Sequence, residues 1–263
     1  MMKNPIIVMN FSGVYEKENF YKNEEFQWID CKYILGTNCY CDEIAESELR
    51  MLINHYSAYG IHFIDSGNYH YVSKLWIDKI TEPFSLMIFD HHTDMQPPAF
   101  GNVLSCGSWV KDIMNHPHLK KVYLMGIDEK YIFSVLNLYK DKLIWYSEKD
   151  LQAKKTLNWF KNAYIKEPLY ISIDKDVLSL ETVKTNWDQG NLSFNTLGRL
   201  LKIIINNQRI IGMDVCGECN DILKSERNSN LYQDHDKVNS FLLNEFLQAE
   251  HLYQIKESSG YKS

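Results

Sequence analysis

The chain has 263 residues, enough to bury a sizeable core, and its 45% hydrophobic and 24% charged content is that of an ordinary globular protein. A formal net charge of −6 gives no support for binding nucleic acid or an anionic membrane surface. No apolar run reaches transmembrane length, and Met1-Met2-Lys3-Asn4-Pro5 leads into a strand pattern rather than a signal peptide, so a cytoplasmic location is expected.

The first predicted element is a strand at Ile6–Phe11. Residues 12–38 are rich in aromatic and charged side chains without clear periodicity, and read as a surface loop with its aromatics tucked into the core. Asp42–Tyr59 reads as an amphipathic helix, with Ile44, Met51, Leu52 and Tyr56 at roughly helical spacing and Gly60 at its end. Strand and helix then alternate. Strands are expected at Ile61–Asp65, Phe84–Asp90, Lys121–Met125, Lys142–Tyr146, Leu169–Asp174 and Arg209–Val215. Helices are expected at Tyr71–Ile80, Ser108–Asn115, Tyr131–Tyr139, Lys149–Ala163, Ser193–Asn206 and Asp236–Glu250, with a frayed tail from Glu257. Such alternation implies an α/β chain of three αβα layers, a mostly parallel sheet covered by helices on both faces. Residues 1–263 read as one domain, without repeats or linkers. The six cysteines are expected to be free thiols. Cys39/Cys41 and Cys216/Cys219 imitate a zinc site poorly, because one pair is C-x-C and no histidine follows at finger spacing.

Chemistry concentrates at two strand ends. Phe84-Ser85-Leu86-Met87-Ile88-Phe89 reads as a strand buried on both faces, and Asp90, His92 and Asp94 follow it at once. Two carboxylates and an imidazole within five residues call for a divalent cation, against the plainer reading of a charged loop. Leu169-Tyr170-Ile171-Ser172-Ile173 runs in the same way into Asp174 and Asp176. In open α/β sheets ligands bind outside the carboxyl ends of the strands, where both clusters would lie, so a metal site is the favoured reading.

Asp90-His91-His92-Thr93-Asp94 and Ser172-Ile173-Asp174-Lys175-Asp176 resemble the two signatures of the arginase, or ureohydrolase, family, Asp-Ala-His-x-Asp and Ser-x-Asp-x-Asp. His70, after the strand at Ile61, stands where that family takes its remaining ligand, and the resemblance runs from about Ile61 to Asn220. It implies two manganese ions per chain. His70, Asp90, Asp94 and Asp174 would hold one, and Asp90, His92, Asp174 and Asp176 the other. It further implies hydrolysis of a guanidino or amidino C–N bond, with Asp94 moving the proton and a glutamate after a late strand pairing with the guanidinium. Glu218 is the expected glutamate, one residue late in its spacing, with Asp214 as its rival.

Other positions depart from the family. Ser105-Cys106-Gly107-Ser108 replaces the histidine-glycine that shuttles protons in arginases, and a thiol is a poorer shuttle near neutrality. Gln96 stands where arginases place an asparagine on the amino-acid end of the substrate, and the loop after it lacks hydroxyl groups. The partner implied is therefore a small guanidino compound or an arginine-containing peptide as readily as free arginine. A homo-oligomer is left open. A deacetylase-like hydrolase with one zinc, or a non-catalytic metal-binding relative, are the alternatives. His91 is expected to be a hydrogen-bonded neighbour of the site, and His55, His62, His116 and His118 carry no assigned chemistry.

Overall fold

The structure, a computed structural model, describes residues 4–98, 101, 103–132, 138–162, 165–220 and 229–258. Its framework is a sheet of eight parallel strands: β1 (Ile6–Asn10), β2 (Phe26–Asp30), β4 (Ile61–Phe63), β5 (Phe84–Phe89), β7 (Leu119–Ile127), β8 (Leu143–Ser147), β9 (Leu169–Asp174) and β10 (Ile210–Cys216). They lie in the order β2-β1-β4-β10-β9-β5-β7-β8. A two-stranded antiparallel ribbon, β3 (Tyr40–Cys41) with β6 (Leu104–Ser105), sits apart from it.

Strand alternation builds the three layers. Ile7, Met9, Leu86 and Ile88 face one core with Trp76 and Trp109. Ile6, Val8, Met87 and Phe89 face the other, with Leu200, Leu242 and Phe246. Helices cover both faces: α1 (Glu43–Ile53), α2 (Val72–Ile77), α3 (Trp109–Ile113), α4 (Glu129–Ile132), α5 (Glu148–Gln152), α6 (Lys154–Asn162), α7 (Phe194–Asn207) and α8 (Ser229–Ser258).

Several expectations need correction. α1 buries Ala45, Leu49 and Ile53, whereas Ile44 is 80% and Met51 66% exposed, so the apolar stripe taken for its inner face is largely outward. That helix also stops at Ile53 rather than Tyr59. The Lys79 ammonium donates to the carbonyls of Ile53, Asn54 and Tyr56, taking up acceptors that another turn would have used. The single helix expected over Lys149–Ala163 is two, because Ala153 is extended (φ −72°, ψ 131°) and ends α5 after a capping box formed by Ser147 and Asp150. Residues 12–38 contain an edge strand, β2, that the sequence reading lacked, while Tyr15, Phe20 and Tyr21 are buried as expected. The final helix runs from Ser229 to Ser258, longer at both ends than anticipated, and most of the expected frayed tail lies outside the described residues. The same holds for most of the helix expected after Tyr131.

Candidate metal centre

The carboxyl ends of β4, β5 and β9 converge, because parallel neighbours in register put all their C-terminal ends on one side of the sheet. His70 arrives on the turn after β4, Asp90 to Asp94 follow β5, and Asp174 and Asp176 end β9. Backbone donors fix three of these carboxylates. His92 N–H donates to Asp90 Oδ1 at 2.5 Å, Asp176 N–H to Asp174 Oδ1 at 2.9 Å, and His91 N–H to Asp176 Oδ1 at 3.0 Å. Asp94 sits in the left-handed region at φ 50°, which aspartate tolerates better than most residues, and its Oδ2 accepts the Trp109 indole N–H at 2.7 Å.

His70 Nδ1 lies 3.3 Å from Asp90 Oδ2, 3.0 Å from Asp94 Oδ2 and 3.6 Å from Asp174 Oδ2. It is fully buried and makes no hydrogen bond of acceptable geometry, while Nε2 on the other side of the ring is 2.9 Å from Ser172 Oγ. His92 Nδ1 is 2.9 Å from Asp176 Oδ2 and 3.5 Å from Asp90 Oδ1. Three sets of donor atoms lie within ion-binding reach: His70, Asp90 and Asp94; Asp90, His92 and Asp176; and His70, Asp174 and Cys216. All six side chains expected as ligands therefore meet in one place. Four buried carboxylates facing two imidazoles, with an imidazole nitrogen left orphaned among them, fit a pair of divalent cations.

The electrostatics agree. Burial, and then the charge of Asp90, push Asp94 up to about 6. Asp174 is raised by burial and by Asp90, and Asp176 well raised by burial, Asp174 and Asp90. Burial opposes protonation of His92, but hydrogen bonds with Asp176 and Asp90 push it up to about 12. Asp90, despite its burial, is held below the usual carboxylate range by the neighbouring imidazoles of His70 and His92.

Above this floor lies a cavity of about 420 Å³. Gln96 and Cys106 line it as expected, together with Tyr131, Trp187 and Asp188, which the sequence reading did not single out. Gly67 lies under Trp187, where a Cβ would come within 2.9 Å of both Asp174 Oδ2 and Trp187 Cδ1, so no larger residue fits. Cys106 meets Cys39, which the ribbon register sets opposite it. A hydrogen bond with Cys106 pulls the Cys39 thiol down to about 7 and pushes that of Cys106 up.

Glu218 is not at the pocket. Gly217, at φ 93°, turns the chain after β10, and the Glu218 carboxylate is fully buried and outside the pocket lining. It pairs there with Lys175 Nζ and, at 2.8 Å, with His235 Nδ1, and accepts from Asn239 Nδ2 at 2.8 Å. Its rival Asp214 accepts from Tyr170 Oη at 2.7 Å and lies 2.8 Å from His62 Nδ1, an interior arrangement likewise outside the pocket lining. The guanidinium partner expected at either position is thus committed elsewhere. His91 lies beside the site, its backbone N–H on Asp176 and its Nε2 3.7 Å from Asp128, but its buried Nδ1 has no hydrogen-bond partner, unlike the hydrogen-bonded ring expected. All six cysteines are free thiols, and no candidate metal group among the described residues brings two of them together.

A three-layer α/β protein whose strand ends gather four aspartates and two histidines at the floor of a cavity, His70 buried behind the others, is the class that fold and site define. The Arginase family's profile matches residues 60–232, and the chain belongs to that family. An uncharacterized protein of Thermotoga maritima is 32% identical over 220 residues, 83% of this chain and 81% of that protein. Among solved structures, the proclavaminate amidino hydrolase of Streptomyces clavuligerus is similar at a TM-score of 0.62 and 16% identity, covering 97% of this chain and 92% of that one. The formimidoylglutamase of Bacillus subtilis gives 0.62 at 12%, over 94% and 88%. A T. brucei arginase-like protein variant bound with Mn2+ gives 0.63 at 15%, over 94% and 91%.

Proposed function

We propose that this chain is a binuclear manganese-dependent hydrolase of a guanidino or amidino C–N bond, releasing urea or a similar fragment. The observation that carries the proposal is the six-residue cluster, in which His70 Nδ1 lies buried within 3.6 Å of three carboxylates without a hydrogen bond of its own. His70, Asp90, Asp94 and Asp174 would hold one ion and Asp90, His92, Asp174 and Asp176 the other, with Asp90 and Asp174 shared. Oxygen-rich ligand sets with two imidazoles suit manganese better than soft-ligand metals. Two such ions, when bound, supply Lewis acidity and a water acidic enough to be a nucleophile near neutral pH.

The chain's own residues do the rest. Asp94 takes the proton of the attacking water and returns it to the leaving amine, its carboxylate fixed by the Trp109 indole. Ser172 orients the His70 ring from behind, and the Asp176 carboxylate is steadied by the His91 amide. No helix among the described residues is long and apolar enough to cross a membrane. The substrate class is a guanidino small molecule or an arginine-containing peptide. Manganese-loaded protein incubated with a panel of such compounds, with urea and ornithine assayed, is the test. Turnover with two manganese ions per chain is expected, and one zinc per chain with release of acetate from an acetylated substrate would replace this reading by the deacetylase-like one.

A further inference from the structure

The mouth of the pocket is built from two loops. One follows β7 and carries Lys130 and Tyr131 at α4; the other joins β9 to α7 and carries Trp187 and Asp188. Tyr131, Trp187 and Asp188 line the cavity, and the His92 ring centroid is 5.1 Å from that of Tyr131 and 6.2 Å from that of Trp187. Trp187 is pinned in place, since its indole N–H donates to Asn68 Oδ1 at 2.8 Å and its carbonyl accepts from the Thr185 hydroxyl at 3.3 Å. It is nonetheless 42% exposed.

A cation already stands at this rim. The Lys130 ammonium lies 4.6 Å above the Tyr131 ring centroid and pairs with Asp188 at 3.1 Å and Asp128 at 2.9 Å. Ring face plus carboxylate is the chemistry that recognises ammonium and guanidinium groups. The pair is solvent-screened, with the Lys130 side chain 51% and that of Asp188 63% exposed, so it is of the weak kind that a competing cation displaces. Carboxylates are also scarce. Of the five that line the cavity, Asp90, Asp94, Asp174 and Asp176 belong to the metal cluster, and only Asp188 is left over among the described lining residues. Glu218 is held by Lys175 and His235.

We infer that Asp188, which lines the cavity together with Tyr131 and Trp187, is the carboxylate that pairs with a guanidinium substrate, and that Lys130 is a tethered occupant which the substrate displaces. The inference rests on the hydrolase reading for the identity of the cation, and its test separates the two. Methylguanidinium is titrated calorimetrically into manganese-loaded protein. Asp188→Asn should weaken its binding by about tenfold or more, the loss of one charge-assisted pair, and Asp188→Glu should restore most of it. Lys130→Met should tighten it. Manganese content should be the same in all, because none of these residues is a ligand. On any guanidino compound found to be hydrolysed, Asp188→Asn should raise KM with kcat within about twofold. Asp188-dependent binding without turnover of any guanidino compound leaves the subsite standing and removes the hydrolase reading. Turnover with KM unchanged in Asp188→Asn removes the subsite and leaves the hydrolase. Wild-type protein that fails to bind methylguanidinium at millimolar concentration also overturns the inference.

Discussion

Cys106 lies in the pocket wall, and its chemistry is decided by one neighbour. Cys39, at φ 64°, turns its thiol to that of Cys106, and the hydrogen bond between them splits their acidities. Cys106, with its pKa raised, is a neutral thiol at pH 7 and moves no protons there. Cys106→Ala should therefore leave kcat within about threefold, ~0.7 kcal/mol, while Cys106→His should keep or raise it. Cys39 is the reactive member. Its pKa of about 7 means that the thiolate fraction climbs as pH rises through 7 and levels off above it. Iodoacetamide should label Cys39 before the buried thiols, such as Cys41, which burial pushes up to about 12. In Cys106→Ala the midpoint of that labelling should move upward toward the free-cysteine value of about 8.5. Peptide mapping across pH reads both; an unmoved midpoint would mean that something other than the sulfur contact holds Cys39 down.

Between elements, the decisive contact is the buried one that joins β9, β10 and α8. Lys175 sits between two metal-cluster aspartates in sequence, yet its side chain points the other way and is wholly buried. Its ammonium meets Glu218, His235 Nδ1 at 2.9 Å and Asn239 Oδ1 at 3.1 Å, the last two from α8. Asn239 in turn donates to Glu18 at 2.8 Å. Removing one partner of a buried charged pair leaves the other uncompensated, at a cost of about 3–5 kcal/mol. Glu218→Gln should thus lower Tm by roughly 6–20 °C for a chain of this size, with manganese content retained. A glutamate that bound substrate would give the reverse pattern, an unchanged Tm with impaired kinetics. Five of the six side chains of the candidate cluster were legible in the sequence because they sit in two five-residue motifs, and short spacing at a strand end leaves little freedom in where side chains go; His70 stands outside both. Glu218 was misplaced for the opposite reason. Spacing along the chain says nothing of the left-handed bend at Gly217, where a Cβ would come within 2.5 Å of Asp174 Oδ1, nor of the Lys175, His235 and Asn239 side chains that hold the next residue. The inner face of α1 was likewise misread: Ala45, Leu49 and Ile53, four residues apart, form the buried stripe, whereas Ile44 and Met51 lie largely outward. Trp187 and Asp188 lie in a loop that no periodicity announces. Only the docking of Trp187 onto Asn68 and its close approach to Gly67 place them at the pocket.

At the scale of the whole molecule, the cluster gathers residues 70, 90–94 and 174–176, so whatever fills it ties together segments more than a hundred positions apart. An unfolded chain does not present such a site, and the free energy of binding becomes folding free energy. Without cations, Asp90, Asp94, Asp174 and Asp176 are buried together, and the raised pKa values of the last three record their mutual repulsion and desolvation. Manganese at about a hundred times its Kd should stabilise the fold by about 2.7 kcal/mol, a rise in Tm of roughly 5–10 °C. Ligands must lose protons to bind metal, so the rise should shrink as pH falls from 8 to 6. Asp174→Asn reverses the sign of one term only. It removes a charge from a crowded set, so the metal-free variant should melt at or above the metal-free wild type. It also removes a shared ligand, so its gain from manganese should largely vanish. Calorimetric scans of both proteins, with chelator and with manganese at pH 8 and pH 6, measure all of these shifts. A metal-free Asp174→Asn less stable than wild type by several kcal/mol would mean that the carboxylate is held by its contacts with Cys216 Sγ and the Asp176 amide rather than strained by its neighbours.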